Sequence, residues 1–277
     1  MIAGADRSTA TTAPSHGGDE LIQVERLGSI AIIRLNRPAK RNSLNREMID
    51  SLIDVFTALR DSADGTATID AVVLAGAPGA FCAGADIASY HRASAADLAD
   101  FTQRALTLVN LVRSAPVPVI ASIDGMALGG GLELALAADF IVASERATLG
   151  LPETRIGLIP GWAGTASLTE AIGVRRAKQV IYSGMTLSAQ QALQWGLVNH
   201  VAPEGTSDKA AQMLAAEIAQ RAPLAVRAAK RAVHAASATT IGTTTETDEL
   251  LDLFASADGI EGVAAFVEKR PARFRSL

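Results

Sequence analysis

The apolar positions of the chain follow two different spacings, which together predict strands alternating with helices. Short apolar runs bounded by turn residues predict buried strands at 21–26, 29–35, 70–74, 117–123, 140–143 and 198–201. Apolar residues three or four apart predict helices around 44–59 and 98–112, and a Ser188–Gln191 capping pair starts another helix. Short strands that alternate with helices indicate an α/β fold with helices layered on a sheet.

The pattern changes after residue 203, where every further predicted element is a helix. Pro223, Gly242 and Gly259 divide this part of the chain into three or four helices. Residues 1–20 are rich in small and polar residues and lack apolar periodicity, so we expect a disordered tail there. The predicted organisation is therefore this tail, an α/β core at 21–203 and a helical region at 204–277.

The composition excludes several classes of protein. Hydrophobic residues make up 49% of the chain and charged residues 19%, which is enough for a sizeable core and excludes disorder of the whole chain. The net charge of −4 argues against nucleic-acid binding, and no apolar run is long enough for a transmembrane helix. The single Cys82 and the four scattered histidines indicate neither a disulfide nor a metal site. Since no signal-peptide pattern opens the chain, we expect a cytoplasmic protein.

A glycine-rich junction is the first candidate for chemistry. Gly129, Gly130 and Gly131 follow a predicted strand and open a helix that runs to Ala138. Glycine lets a ligand approach the backbone closely, and free N–H groups at a helix N-terminus stabilise negative charge. The junction suits an anion or a developing oxyanion, and a tight packing turn is the alternative explanation of the same residues.

Two glutamates lie beside such glycine-rich, apolar segments. Glu133 has only apolar neighbours in the first helical turn, where a buried carboxylate is costly unless it is paired or used. Glu153 follows Pro152, and its alternative roles are a solvated surface group or an ion-pair partner of Arg155. A second glycine loop, FCAGADI at 81–87, can aim a backbone N–H into a cleft or act as a packed turn. The chain contains no dinucleotide, phosphate-loop or serine-nucleophile motif.

Six separated segments together form a pattern that is specific to one family, although each segment alone is weak evidence. They are NRP with NSL at 36–44, FCAGADI at 81–87, PVPVIASIDGMALGGGLELALAAD at 116–139, LGLPETRIGLIPG at 149–161, GLVNHV at 196–201 and FVEKRPARF at 266–274. Together they resemble the crotonase, or enoyl-CoA hydratase/isomerase, superfamily. The resemblance implies an α/β core built as a spiral of ββα units. It also implies C-terminal helices that mediate trimerisation, with trimers pairing into hexamers.

The resemblance also implies an acyl-CoA thioester as substrate and a role for each matching residue. Backbone N–H groups of Ala85 and Gly130 are expected to form an oxyanion hole for the thioester oxygen. Glu133 is expected to activate water for attack at C3, and Glu153 to protonate C2. Further substrate contacts are expected at Lys40, Arg41, Ala83, Asp86, Ile87, Ala88, Gly129, Trp162 and Lys269. Apart from the CoA moiety of the substrate, no cofactor and no metal is expected.

Two departures from the family pattern bear on substrate preference. The usual Gly-Gly-Thr-Gln-Arg-Leu stretch is replaced at 163–168, and Trp162 precedes it. Both departures bear on which acyl chains the protein prefers. Ala88 stands where many relatives carry a basic residue, so lysines and arginines at 40–41 and 269–270 are candidates to bind the CoA phosphates.

The presence of both glutamates favours an enoyl-CoA hydratase. One alternative is a Δ3,Δ2-enoyl-CoA isomerase, which needs a single carboxylate, or another crotonase-type dehydratase or lyase. A non-catalytic acyl-CoA or RNA binder is an alternative from a different class, in which the basic cluster at 269–275 would bind the RNA.

Overall fold

The computed structural model describes residues 20–61, 69–236, 250–252 and 254–273. Nearly all of the predicted tail at 1–20 lies outside these ranges, as does the predicted helix divider Gly242. Among the residues described, no helix is long and apolar enough to cross a membrane.

The main sheet contains six strands, which we number by chain order. They are β1 (Ile22–Leu27), β2 (Ile30–Leu35), β3 (Ala71–Gly76), β4 (Val119–Ile123), β6 (Phe140–Ser144) and β9 (His200–Ala202). Their spatial order is β1-β2-β3-β4-β6-β9, and every neighbouring pair after the β1–β2 hairpin is parallel. Strands β3 and β4 are buried almost throughout because helices cover both faces of the sheet. The predicted α/β fold is confirmed.

A small second sheet lies next to the site described below. Its strands are β5 (Met126–Leu128), β7 (Thr148–Gly150) and β8 (Thr186–Ser188), in the order β5-β7-β8. Strands β4 and β6 are each followed by one of these short strands, so the chain winds in ββα units between the two sheets. The apolar pattern does not predict the short strands, because three residues are too few to show an alternation.

Helices pack around both sheets, and some of them begin at a serine cap. They are α1 (Arg46–Asp61), α2 (Ala95–Arg113), α3 (Gly130–Leu136), α4 (Gly164–Ile172), α5 (Val174–Ser183), α6 (Ala189–Gln194), α7 (Ser207–Ala219), α8 (Pro223–Ala236) and α9 (Ala257–Glu268). Helix α6 begins as predicted, since the N–H of Gln191 donates to the Ser188 hydroxyl over 3.2 Å. Helix α8 begins at Pro223, which is common at the first helical position.

One predicted helix boundary is wrong. Gly259 does not separate two helices but lies in the first turn of α9, where its N–H donates to the hydroxyl of Ser256 over 3.0 Å. Ser256 is therefore the cap, and the helix begins directly after it.

Helix α9 lies against the α/β core of its own chain. A Cβ added at Gly262 would overlap the backbone carbonyl of Ile156, and one added at Gly157 would lie 2.6 Å from the carbonyl oxygen of Asp258. Helix and loop therefore touch through their backbones, which only glycine permits. The region 204–277, which we expect to mediate association, thus also supplies part of the wall of the site.

Candidate active site

A cavity of about 590 Å³ lies where the small sheet, the glycine-rich junction and α9 meet. Its inner end contains Tyr90 and Trp162, which are only 7% and 4% exposed. Three exposed arginines, Arg41, Arg155 and Arg270, also line it and mark its mouth. The cavity therefore runs from a cationic opening to an apolar interior, which suits a ligand with an anionic end and an apolar end.

Most of the predicted site residues come together in this cavity. Those that line it are Arg41, Ala83, Ala85, Ile87, Gly129, Gly130, Glu133, Glu153 and Trp162. Lys40, Asp86, Ala88 and Lys269 do not line it.

Asp86 has a structural partner instead. Its Oδ2 lies 2.7 Å from Nη1 of Arg37, and the same guanidinium nitrogen donates to the carbonyl of Ser43. Both side chains of the ion pair are about four-fifths buried, so the pair fixes the loop that contains Ala85. Asp86 therefore positions the backbone of the cavity wall rather than presenting its carboxylate to a ligand.

Glu133 is held firmly by backbone amides. It lies in the first turn of α3 and is 3% exposed. Its Oε1 accepts hydrogen bonds from the N–H groups of Trp162 and Gly164, over 2.7 and 2.8 Å. A Cβ at Gly164 would lie 2.7 Å from the same oxygen, so only glycine permits this approach. Because Oε1 receives two donors, a proton taken up by this carboxyl group is held on Oε2.

Glu153 lies in the wall of the same cavity as Glu133 but belongs to a different element. It begins the short 3-10 turn Glu153–Ile156, and a Cβ at Gly129 would lie 2.8 Å from its Oε1. Gly129 has a positive φ of 51° and directly precedes α3, which carries Glu133. The negative charges of both glutamates also raise the pKa of Tyr90, although burial of the tyrosine is the larger cause. The two carboxylates thus act on one cavity.

The two backbone N–H groups that are predicted to form an oxyanion hole belong to Ala85 and Gly130, which both line the cavity. Leu44 forms an isolated parallel bridge with Ala85, in which the N–H of Leu44 and the carbonyl of Leu44 bond to the residues on either side of Ala85. The N–H of Ala85 therefore points to the opposite side of the loop. Gly130 is the first residue of α3, where the N–H has no intrahelical acceptor. A Cβ at Gly84 would lie 3.5 Å from the nitrogen of Gly130, so the two donors are close together.

The cations of the cavity differ in how they are paired. The guanidinium of Arg270 makes a two-pronged contact with Glu261, over 2.6 and 2.8 Å, and its Nε donates to Glu268 over 2.6 Å. The contact with Arg270 lowers the pKa of Glu261 to about 2. Arg41 makes no ion pair with another described residue. Arg41 is therefore the more available cation for an anionic ligand.

Sequence reasoning does not predict several of the residues that line the cavity. Tyr90, Leu250 and Phe266 come from a 3-10 turn, a helical segment and α9, and all three line the cavity. Tyr90 and Leu250 belong to none of the six quoted segments, and Phe266 opens the last of them without a role assigned to it, so only the tertiary packing shows that they reach the cavity. Among the described residues there is no group of three or more acidic, histidine or cysteine side chains that could hold a metal ion.

Comparison with known proteins decides the family. The family model of enoyl-CoA hydratase/isomerase matches residues 25–276. The chain belongs to the enoyl-CoA hydratase/isomerase family. The resemblance to the crotonase superfamily and the fold it implies are thereby confirmed, and the family acts on acyl-CoA substrates.

Individual relatives agree in sequence and structure. Human enoyl-CoA hydratase domain-containing protein 2, mitochondrial, is 39% identical over 93% of this chain and 90% of that protein. Human methylglutaconyl-CoA hydratase, mitochondrial, is 36% identical over 89% of this chain and 74% of that protein. The crystal structure of carnitinyl-CoA hydratase from Mycobacterium avium matches with a TM-score of 0.81 and 35% identity, covering 93% of this chain and 99% of that chain.

The expected cytoplasmic location is wrong on this comparison. Curated relatives from human, cattle and Arabidopsis thaliana are named as mitochondrial proteins. The expectation rested on the missing signal-peptide pattern and on the single cysteine, neither of which identifies a compartment.

Proposed function

We propose that the chain is an enoyl-CoA hydratase, which adds water reversibly across the 2,3 double bond of a 2-enoyl-CoA thioester. The observation that carries this proposal is the presence of two carboxylates, Glu133 and Glu153, in the wall of one cavity. Hydration needs two proton-handling groups, because water must lose a proton while C2 gains one. The names of the relatives, several of which are hydratases, support the same activity.

In the proposed reaction, the thioester oxygen accepts hydrogen bonds from the N–H groups of Ala85 and Gly130. Glu133 takes a proton from water at Oε2 while the water oxygen bonds to C3. The electron pair of the double bond moves toward the thioester and forms an enolate, which the two N–H groups stabilise. Each such donor is typically worth about 3–4 kcal/mol in the transition state.

Glu153 completes the proposed reaction by giving its proton to C2, which yields the 3-hydroxyacyl-CoA. Glu133 is then protonated and Glu153 ionised, so one proton must pass between them or exchange with solvent before the next turnover. Dehydration is the same sequence in reverse, with the two roles exchanged. The proposed reaction uses no metal and no cofactor besides the CoA moiety of the substrate.

The CoA moiety is proposed to bind at the cationic mouth. The chain has a net charge of −4, so attraction for the phosphates must be local. Arg41 is the principal candidate, and Arg270 is expected to contribute less because Glu261 and Glu268 already hold it. Lys40 and Lys269 are exposed and lie outside the cavity wall, and we propose them as weaker, longer-range contributors.

We also propose that the chain assembles as a homotrimer or as a hexamer of paired trimers. Large apolar side chains support this proposal, since Val233 on α8 is 64% exposed and Ile260 on α9 is 61% exposed. Apolar surface of this kind is typical of an interface when it forms a continuous patch.

The test of the proposed activity is the conjugated enoyl absorbance of crotonyl-CoA. A hydratase makes this absorbance fall on addition of the protein until the reverse reaction balances it. A 3-enoyl-CoA, tested in parallel, separates this activity from isomerisation, which would raise the absorbance. Conversion of the 3-enoyl-CoA without any hydration of crotonyl-CoA would replace the proposal with the isomerase alternative.

A further inference from the structure

Tyr90 and Trp162 line the inner end of the cavity and pack against Phe101 and Phe254, which do not line it. We call these four aromatic side chains the aromatic wall. The ring of Phe101 meets Tyr90 edge to face at 5.8 Å and lies 5.7 Å from the ring of Trp162. Tyr90 also meets Phe254 edge to face at 6.1 Å. Every member is less than one-tenth exposed. These contacts link all four rings, and each ring is buried. A ligand can therefore displace these side chains only at a considerable energetic cost.

Trp162 places this wall beside the reaction centre. Its backbone N–H donates to Oε1 of Glu133 over 2.7 Å. A Cβ at Gly130 would overlap the six-membered ring of Trp162, so the indole lies directly on the residue whose N–H is proposed to bind the thioester oxygen. The carbons of an acyl chain beyond C3 therefore meet the indole soon after they pass the two carboxylates.

The surface beside Trp162 is closed as well. A Cβ at Gly161 would overlap the side chain of Leu250, which is 4% exposed. Leu158, another lining residue, is 3% exposed. The opposite end of the cavity contains the exposed arginines, so a substrate whose phosphates lie there directs its acyl group toward the aromatic wall.

Resting on the proposed hydratase activity, we infer that Trp162 and Tyr90 determine the acyl specificity of this chain and restrict it to short, compact 2-enoyl groups. Phe101 and Phe254 pack against the rings that line the cavity, so a long linear chain can extend past them only by displacing an aromatic side chain. Forcing extra methylene groups into a packed interior shifts side chains and backbone at a substantial cost. Long-chain 2-enoyl-CoA thioesters are therefore poor substrates.

The experiment measures kcat/KM of the full-length protein for trans-2-enoyl-CoA substrates with four, six, eight and twelve acyl carbons. For the wild type we expect a fall of about tenfold or more between four and eight carbons. Trp162→Leu keeps the backbone N–H that binds Glu133 and removes the indole. We expect it to raise the ratio of eight-carbon to four-carbon kcat/KM by about tenfold or more.

Matched controls come from the other tryptophan and the other tyrosine. Trp195 lies at the end of α6 beside Arg176, outside the cavity wall, and Trp195→Leu should leave the ratio unchanged. Tyr90→Leu should shift the ratio in the same direction as Trp162→Leu, and Tyr182→Leu, at a position 71% exposed, should not. If Trp162→Leu does not fold, the comparison of Tyr90→Leu with Tyr182→Leu still tests the inference.

The outcomes separate this inference from the proposed activity. A wild-type protein that hydrates the twelve-carbon substrate as well as the four-carbon substrate overturns the inference and leaves the hydratase proposal standing. Ratios that do not move in either cavity variant, with folding intact, also overturn it. Absence of hydration at every chain length refutes the proposed activity itself.

Discussion

Replacing Glu133 by glutamine tests the centre of the proposed mechanism. Glutamine keeps a carbonyl oxygen that can accept from Trp162 and Gly164, as Oε1 of the carboxylate does over 2.7 and 2.8 Å. The amide nitrogen then takes the place of Oε2, where it can donate a proton but not accept one. The variant therefore removes the base and leaves the buried hydrogen bonds intact.

The expected effect on rate is large and the effect on stability is small. Loss of a general base typically lowers kcat by about 10²–10⁴, which corresponds to about 3–5 kcal/mol in the barrier. The melting temperature of Glu133→Gln should stay close to that of the wild type. Glu133→Ala should differ, because it leaves two buried N–H groups without their acceptor, at about 1–3 kcal/mol of folding free energy each.

The assay is hydration of crotonyl-CoA by the wild type, Glu133→Gln, Glu153→Gln and the double variant. The double variant should lose less than the product of the single losses, because the two carboxylates act as one unit. KM should change little, since the proposed CoA contacts lie at the mouth of the cavity. If Glu133→Gln folds normally and keeps more than about a tenth of the wild-type kcat, the role assigned to Glu133 is wrong.

Three other changes test the remaining geometry. Gly129→Ala would place a Cβ 2.8 Å from Oε1 of Glu153, so we expect kcat to fall by about 10²-fold. The control is Gly205→Ala, which should leave kcat unchanged, because Gly205 also has a positive φ but a Cβ there would have no neighbour within 4 Å. Equal kcat values for the two variants would contradict the position of Glu153. Arg41→Gln should raise KM for crotonyl-CoA by up to about fivefold with little change in kcat, since the contact exists in ground and transition states alike; a KM insensitive to this substitution and to salt would show that the phosphates bind elsewhere. Deletion from residue 243 onward removes α9 and should abolish activity and dissociate or misfold the protein, as light scattering and thermal unfolding would reveal; a truncated trimer with unchanged melting would contradict the proposed role of this region in assembly.

The sequence predicts the main sheet well because of how that sheet is buried. The strand predicted at 29–35 is β2 (Ile30–Leu35), and that at 117–123 contains β4 (Val119–Ile123). Both strands are buried almost throughout, so each is a largely apolar run, interrupted only by Arg34 in β2 and Ser122 in β4, that a local pattern can show. The strands of the small sheet cannot be predicted this way, because each has three residues and depends on its partner for its position.

Only part of the candidate site, likewise, can be predicted from the sequence. The glycines and glutamates lie in contiguous motifs, and the resemblance is sufficient to place them together. The contribution of α9 depends on a close approach between Gly262 and the backbone of Ile156, which no local pattern encodes. The pairing of Arg270 with Glu261 likewise joins residues that are not at helical neighbour spacing. The availability of each cation for CoA could therefore be judged only from the structure.

Trp162 links catalysis to specificity through two separate parts of one residue. Its backbone N–H fixes Glu133, and its side chain forms part of the aromatic wall and covers Gly130. Because every residue except proline supplies that N–H, the side chain can change without removing the contact that holds the base. Acyl preference can thus be altered at this position while the carboxylate stays in place. Gly164 has no such freedom, since any Cβ there would collide with Glu133 itself.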